Sequence, residues 1–247
     1  MEAYLDEIDE MGLGRVEIGV TGGEPFLNPH MLGIMELSLS RGHSLLMLTN
    51  AMRPMMRPKI KKGLLDLKAR YGDRLTLRVS LDHFTQAEHD EERGQGSFEI
   101  VLKGLDWLSE NGFAINIAGR LSFSESEPQA RTGYGDLIAR QGWAINSADP
   151  ASLVLFPEMD ETVDVPEITI ACWGILNISP DAMMCASSRM VVKRKGDTQT
   201  SVLACTLLWD DKQFEMGKSL KESLSPVALN HPHCAKFCVL GGASCSA

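Results

Sequence analysis

Two hydrophobic patterns alternate along this chain. Short runs that are apolar at every second position, or throughout, read as strands; longer stretches with apolar residues three and four apart read as amphipathic helices. The pattern predicts a helix over 1–12 with Tyr4, Leu5, Ile8 and Met11 on one face, then a strand over 16–20. A helix over 29–41 carries Met31, Leu32, Met35 and Leu39 inward, and the almost wholly apolar run 44–49 reads as a strand covered on both faces. The series continues with a helix over 55–71, a strand over 74–82, a helix over 97–111, a strand over 113–119, a helix over 131–141 and a strand over 152–156. Asn28 reads as an N-cap before Pro29, and Ser97 as another. Residues 83–96 read as a charged loop. This alternation predicts an α/β fold built on a parallel sheet or partial (β/α) barrel.

In the strand over 74–82, Leu75, Leu77, Val79 and Leu81 alternate with Thr76, Arg78, Ser80 and Asp82. The apolar face is expected to meet helices and the polar face a barrel interior. Ligands in such folds bind at the C-terminal ends of strands. The candidates there are Gly22, Gly23, Glu24 and Pro25, then Asn50, then Ser80 and Asp82 with His83 beside them, then Arg120. Two glycines between strand and helix let a ligand approach the backbone closely. A carboxylate beside exposed peptide groups suits a small zwitterion. A bare Gly-Gly turn also occurs with no ligand at all.

Beyond Phe156-Pro157 the helical period fades, which divides the chain into 1–157 and 158–247. Residues 168–209 read as two hairpins, one turning near Ser179-Pro180-Asp181 and one at Lys195-Gly196-Asp197, followed by a short helix over 217–224. All six cysteines fall in this part: Cys172, Cys185, Cys205, Cys234, Cys238 and Cys245. Such crowding points to thiolate–metal chemistry, although the spacings are not the paired Cys-x2-Cys of zinc ribbons. Buried free thiols are the alternative.

Composition narrows the classes. Lys and Arg number 24 against 33 Asp and Glu, a net charge of −9, which disfavours a nonspecific nucleic-acid binder. The acidic start is no signal peptide and no apolar run is long enough for a membrane span, so no membrane partner is expected and the location is expected to be cytoplasmic.

Thr21-Gly22-Gly23-Glu24-Pro25 after a buried strand resembles the GGEP motif of the radical S-adenosylmethionine (SAM) superfamily. The cysteine-bearing tail resembles the SPASM or twitch extensions of that family, with Ser179-Pro180-Asp181-Ala182 where Pro-Asp-Gly is usual and with a departing tail spacing. The resemblance implies a partial barrel lacking its first strand, SAM held by Gly22, Gly23 and Glu24, and Asn50, Ser80, Asp82 and Arg120 facing the ribose or carboxylate. It implies an auxiliary 4Fe–4S cluster whose four thiolates come from among the six cysteines, and a reductant such as flavodoxin or ferredoxin. In the family a catalytic cluster reduces SAM, and the resulting 5′-deoxyadenosyl radical abstracts hydrogen from a substrate, here of unknown identity with a peptide as one candidate. The CxxxCxxC loop that holds the catalytic cluster is absent, since no cysteine precedes Cys172. A fragment, or a gene model begun at an internal methionine, is expected in preference to a variant that lost the radical chemistry, because a missing barrel strand would expose sheet edges. The competing readings are an inactive barrel holding a nucleotide or peptide, and a protein whose tail is fastened by a structural metal.

Overall fold

The computed structural model describes residues 1–122, 124–158 and 164–240. It divides into two compact units, Arg15–Glu158 and Met1–Gly14 with Met159–Ala247.

The first unit is a five-stranded parallel sheet with helices in the connections. Strand β1 spans Glu17–Val20, β2 Ser44–Thr49, β3 Leu75–Ser80, β4 Ala114–Leu121 and β5 Leu153–Pro157, and each pairs in parallel with the next in sequence. Without a reversal of strand order, every crossover turns the same way and the helices cover one face, which curls the sheet into a half-barrel. The core shows this. Leu45 and Met47 of β2, Leu75, Leu77 and Val79 of β3, Ile117 of β4 and Leu153 and Leu155 of β5 pack against apolar helix residues such as Met35, Leu64, Leu105 and Leu137. The opposite parity faces away from the helices, with Leu48, Arg78 and Asn116 in one cross-strand row and Ser80 beside Ala118 in the next. The polar face expected from the alternation in β3 is therefore the concave one.

The helices of this unit are α2 (Met31–Ser40), α3 (Pro58–Tyr71), α4 (Gln86–Arg93), α5 (Ser97–Glu110) and α6 (Glu127–Gln141). Several boundaries differ from expectation. Asn28 does not cap α2; its Oδ1 accepts from the His30 amide in a local turn, and Pro25–Leu27 form a 3-10 turn first. The expected loop over 83–96 contains α4. Ser97 is not the cap of α5 but its first residue, after Gly96 at φ +78°. Helix α6 begins four residues earlier than expected because Ser126 and Gln129 form a capping box.

In the second unit, α1 (Glu2–Glu10) joins the tail. The Tyr4 hydroxyl donates to the Lys218 carbonyl at 3.0 Å and lies 2.6 Å from Thr200 Oγ1, and the Leu220 amide donates to Glu7 at 2.6 Å. The first expected hairpin does not form. Its place is taken by α7 (Ala171–Leu176), a 3-10 turn at Pro180–Ala182 and α8 (Met184–Ser187). The Ile168-Thr-Ile run has strand-forming residues, but Asn177 adopts the left-handed conformation that ends a helix. The second hairpin is present, as β6 (Met190–Val192) against β7 (Ser201–Leu203), and gains a third antiparallel strand, β8 (Glu215–Gly217), where a helix was expected to begin. No helix among the described residues is long and apolar enough to cross a membrane.

Candidate functional site

At the C-terminal end of β1 the chain turns through Gly22 (φ +99°) and Gly23 (φ +56°). Both are exposed, and a methyl group built on either would meet nothing within 4 Å. The glycines serve backbone conformation and leave their peptide groups open to a ligand. Pro25 is buried and begins the 3-10 turn.

Glu24 is half-buried and turned inward. Its carboxylate accepts from the Phe26 amide at 3.1 Å, from the Asn50 amide at 2.8 Å and from the Thr49 hydroxyl, which lies 3.0 Å from both oxygens. It therefore ties the end of β1 to the end of β2. Asn50 Oδ1 accepts from the Met52 amide at 2.9 Å, so this oxygen too is engaged within its own turn. Between them, Ala51 is fully buried at φ +53°, a conformation few non-glycine residues adopt.

The end of β3 is an ionic network. Asp82 is 5% exposed and accepts two hydrogen bonds from the Arg93 guanidinium, at 2.5 and 2.9 Å. Arg120 is half-exposed, stands 3.9 Å from Asp82 and pairs with Glu92 at 3.1 Å. Asp82 is thus engaged by the chain, while Arg120 retains an open side. Ser80 is half-buried one row below, on the concave face. The Asp82 amide donates to His89 Nδ1 at 3.1 Å, and burial first of all holds the His89 imidazole below its ordinary pKa. His83 is buried against Phe84, with Nε2 2.9 Å from Glu88 and 3.2 Å from Glu125. The Thr85 amide donates to its Nδ1 at 3.0 Å and the Thr85 hydroxyl lies 2.8 Å from the same atom, so both ring nitrogens are engaged within the fold.

Four of the candidate thiols line one narrow cavity of about 20 Å³, namely Cys185, Cys205, Cys234 and Cys238, with His233 and apolar residues such as Leu208 and Phe214. Cys234 and Cys238 are four apart in a π-helical turn, Cys234–Val239, and so share a face. Burial pushes the Cys185, Cys205 and Cys234 thiols up, and mutual repulsion adds to this at Cys185 and Cys234. Cys172 is different. It lies outside this cavity, and hydrogen bonds from the Thr169 amide and hydroxyl draw its pKa down. Cys245 lies outside the described residues. Among the described residues no three His, Cys, Asp or Glu side chains stand where they could hold one metal ion.

Sequence reading singled out the glycine turn, the strand ends and the cysteines, and it missed Thr49, Ala51 and Arg93. A hydroxyl closing an otherwise apolar buried strand was the available signal for Thr49; nothing local marks the other two.

Comparison with known proteins adds the family. The protein AlbA of subtilosin (an antilisterial bacteriocin) biosynthesis from Bacillus subtilis (strain 168) is 31% identical over 106 residues, which are 42% of this chain and 22% of that protein. The mycofactocin maturase MftC of Mycobacterium ulcerans (strain Agy99) is 29% identical over 110 residues, 44% of this chain and 27% of the maturase. The chain thus spans only about a quarter of the length of these relatives. In fold it is similar to native anSMEcpe with bound AdoMet, at a TM-score of 0.60 and 14% identity over 92% of this chain and 71% of that one. It is also similar to Streptococcus suis SuiB bound to S-adenosylmethionine, at a TM-score of 0.56 and 13% identity over 87% of this chain and 55% of that one. The profile described as the radical SAM superfamily matches residues 1–130, which take in the glycine turn and the ends of β1 to β4, and the chain belongs to that superfamily.

Proposed function

We propose that this chain binds SAM across the C-terminal ends of β1 to β4 and an auxiliary 4Fe–4S cluster in its tail, as part of a radical enzyme that modifies a peptide. The observation that carries the SAM site is the exposed Gly22–Gly23 backbone, braced by Glu24, within the matched region. Peptide carbonyls there suit the methionyl ammonium, and Arg120, with its fork partly open, suits the carboxylate. Asn50 and Ser80 lie between them in register and suit the ribose. Asp82, held by Arg93, contributes by fixing the arginine side of the site. Together with a reduced cluster of the family's kind, whose CxxxCxxC ligands this sequence does not contain, bound SAM would supply the radical. The chain's own residues orient the ligand. The peptide assignment draws on the relatives' names and on a similar fold, anSMEcpe with AdoMet and the Kp18Cys peptide.

For the auxiliary cluster, the supporting feature is the chemistry of the donor set: four thiols on one apolar cavity. In a cluster held by four cysteines each thiolate takes a different iron, so such donors need not converge on one point. A single structural zinc does require convergence, and no described group of three provides it. A bound cluster would supply electron transfer or substrate ligation. Cluster binding would have to displace protons from thiols whose pKa burial has raised, so uptake is expected to release protons and to favour alkaline pH.

The test is anaerobic reconstitution followed by iron, sulfide and visible absorbance. About four irons and four sulfides per chain are expected, retained in Cys172→Ala and lost in Cys234→Ala and Cys238→Ala. Stoichiometric zinc without iron would refute the cluster.

A further inference from the structure

Thr49 is 2% exposed, and its hydroxyl is used twice. It donates to Glu24 and accepts from the Ala51 amide at 3.1 Å. It thus joins the turn after β1 to the turn after β2. The second turn is held on its far side as well. A methyl group on Gly104 of α5 would lie 2.0 Å from the Ala51 carbonyl oxygen, so the helix backbone packs directly on this loop. Ala51 in its left-handed conformation is strain that the surroundings must sustain. Glu24 has about four acceptor positions, and three donors occupy all but one of them.

We propose that Thr49 is a positioning residue of the SAM site: it locks Glu24 as a brace between β1 and β2, so that the ligand's ammonium is met by the Gly22–Gly23 peptide groups and not by the Glu24 carboxylate. This rests on the SAM-binding reading above. It differs from a direct Glu24–ammonium contact in the sign of one variant. With direct contact, removing the Thr49 hydroxyl frees the carboxylate and leaves SAM affinity equal or higher. With a brace, the same change loosens the turn and affinity falls.

The experiment is calorimetric titration of the 247-residue chain with SAM and with 5′-methylthioadenosine, which lacks the ammonium and carboxylate. Thr49→Val is expected to weaken SAM about tenfold, the scale of a hydrogen bond to a charged group, and to change methylthioadenosine less than about twofold. Thr49→Ser is expected to restore SAM binding. Glu24→Ala, at a half-buried position, keeps the test open if Thr49→Val does not fold; it should match that loss, and Thr49→Ala in its background should add nothing. SAM binding by Thr49→Val at wild-type affinity, or an additive double variant, overturns the brace. If the wild-type chain binds no SAM, the function proposed above falls instead, and amide exchange decides the brace. Exchange at Phe26 and Asn50 must then rise in Thr49→Val and recover in Thr49→Ser, and unchanged exchange overturns it.

Discussion

Asp90 lies near the end of α4 yet caps the next helix. Its carboxylate accepts from the Phe98 amide at 2.8 Å, the Gly96 amide at 2.8 Å and the Ser97 hydroxyl at 3.1 Å. These bonds, the one from Phe98 foremost, pull its pKa down to about 2. A carboxylate whose folded pKa is depressed stabilises the fold fully above its unfolded value, near 4, and loses that contribution as pH falls toward the folded value. Melting temperature is therefore expected to drop between about pH 4 and pH 2, and Asp90→Asn should melt lower at neutral pH with a shallower acid decline. A thermal melt series across pH checks both. Sequence reading placed this cap on Ser97 because the residue just before a helix is where caps are sought. The true acceptor is seven residues upstream, reached only because Gly94 and Gly96 fold the chain back at positive φ. The same limit applied to Glu24. Its position beside the glycines was legible, but its partner Thr49 is brought to it by sheet pairing, which no local spacing reports.

Helices and strands with a marked apolar period were legible to within a few residues, since burial on one face dictates them. Helix α4 was not. Gln-Ala-Glu-His-Asp-Glu-Glu-Arg has no apolar stripe, and the face it buries is His89 and Asp90. Their hydrogen bonds, to Nδ1 of His89 and to the Asp90 carboxylate, form only in the folded network, while the buried His89 Nε2 finds no hydrogen-bond partner among the described residues. The first hairpin expected after Ile168 was misread because a run of β-branched residues is weak evidence without a pairing partner, whereas the second, turning near Gly196, forms as expected. Two helical glycines offer a contrast at this scale. A methyl on Gly104 meets the Ala51 backbone, whereas one on Gly63 of α3 meets the end of the Leu32 side chain at 2.5 Å. Leu32 can turn aside; the Ala51 carbonyl cannot without moving the loop. Gly104→Ala is expected to cost about 1–3 kcal/mol, as overpacking does. Gly63→Ala should fall near neutrality, because its higher helix propensity, about 1 kcal/mol, offsets the repacking of Leu32. Urea denaturation of the two variants gives the comparison.

At the scale of the molecule, the sequence suggested a division near residue 157, and the structure adds that α1 belongs to the same compact unit as the tail. Leu5, on α1, is fully buried. Leu5→Ala is expected to cost about 2–4 kcal/mol, with faster amide exchange confined to α1 and residues 190–223. Unchanged exchange in that region, or a matching rise in β2 and β3, would contradict this grouping. The arrangement also has a consequence for synthesis. Helix α1 leaves the ribosome before its partners Thr200, Lys218 and Leu220 have been translated. At ~5–20 residues per second, Tyr4 and Glu7 wait on the order of 10–40 s for those partners, while β1 to β5 can already pair. During that interval the nascent chain carries an acidic, amphipathic helix whose hydrogen-bonding partners do not yet exist, and a sheet whose strands all do.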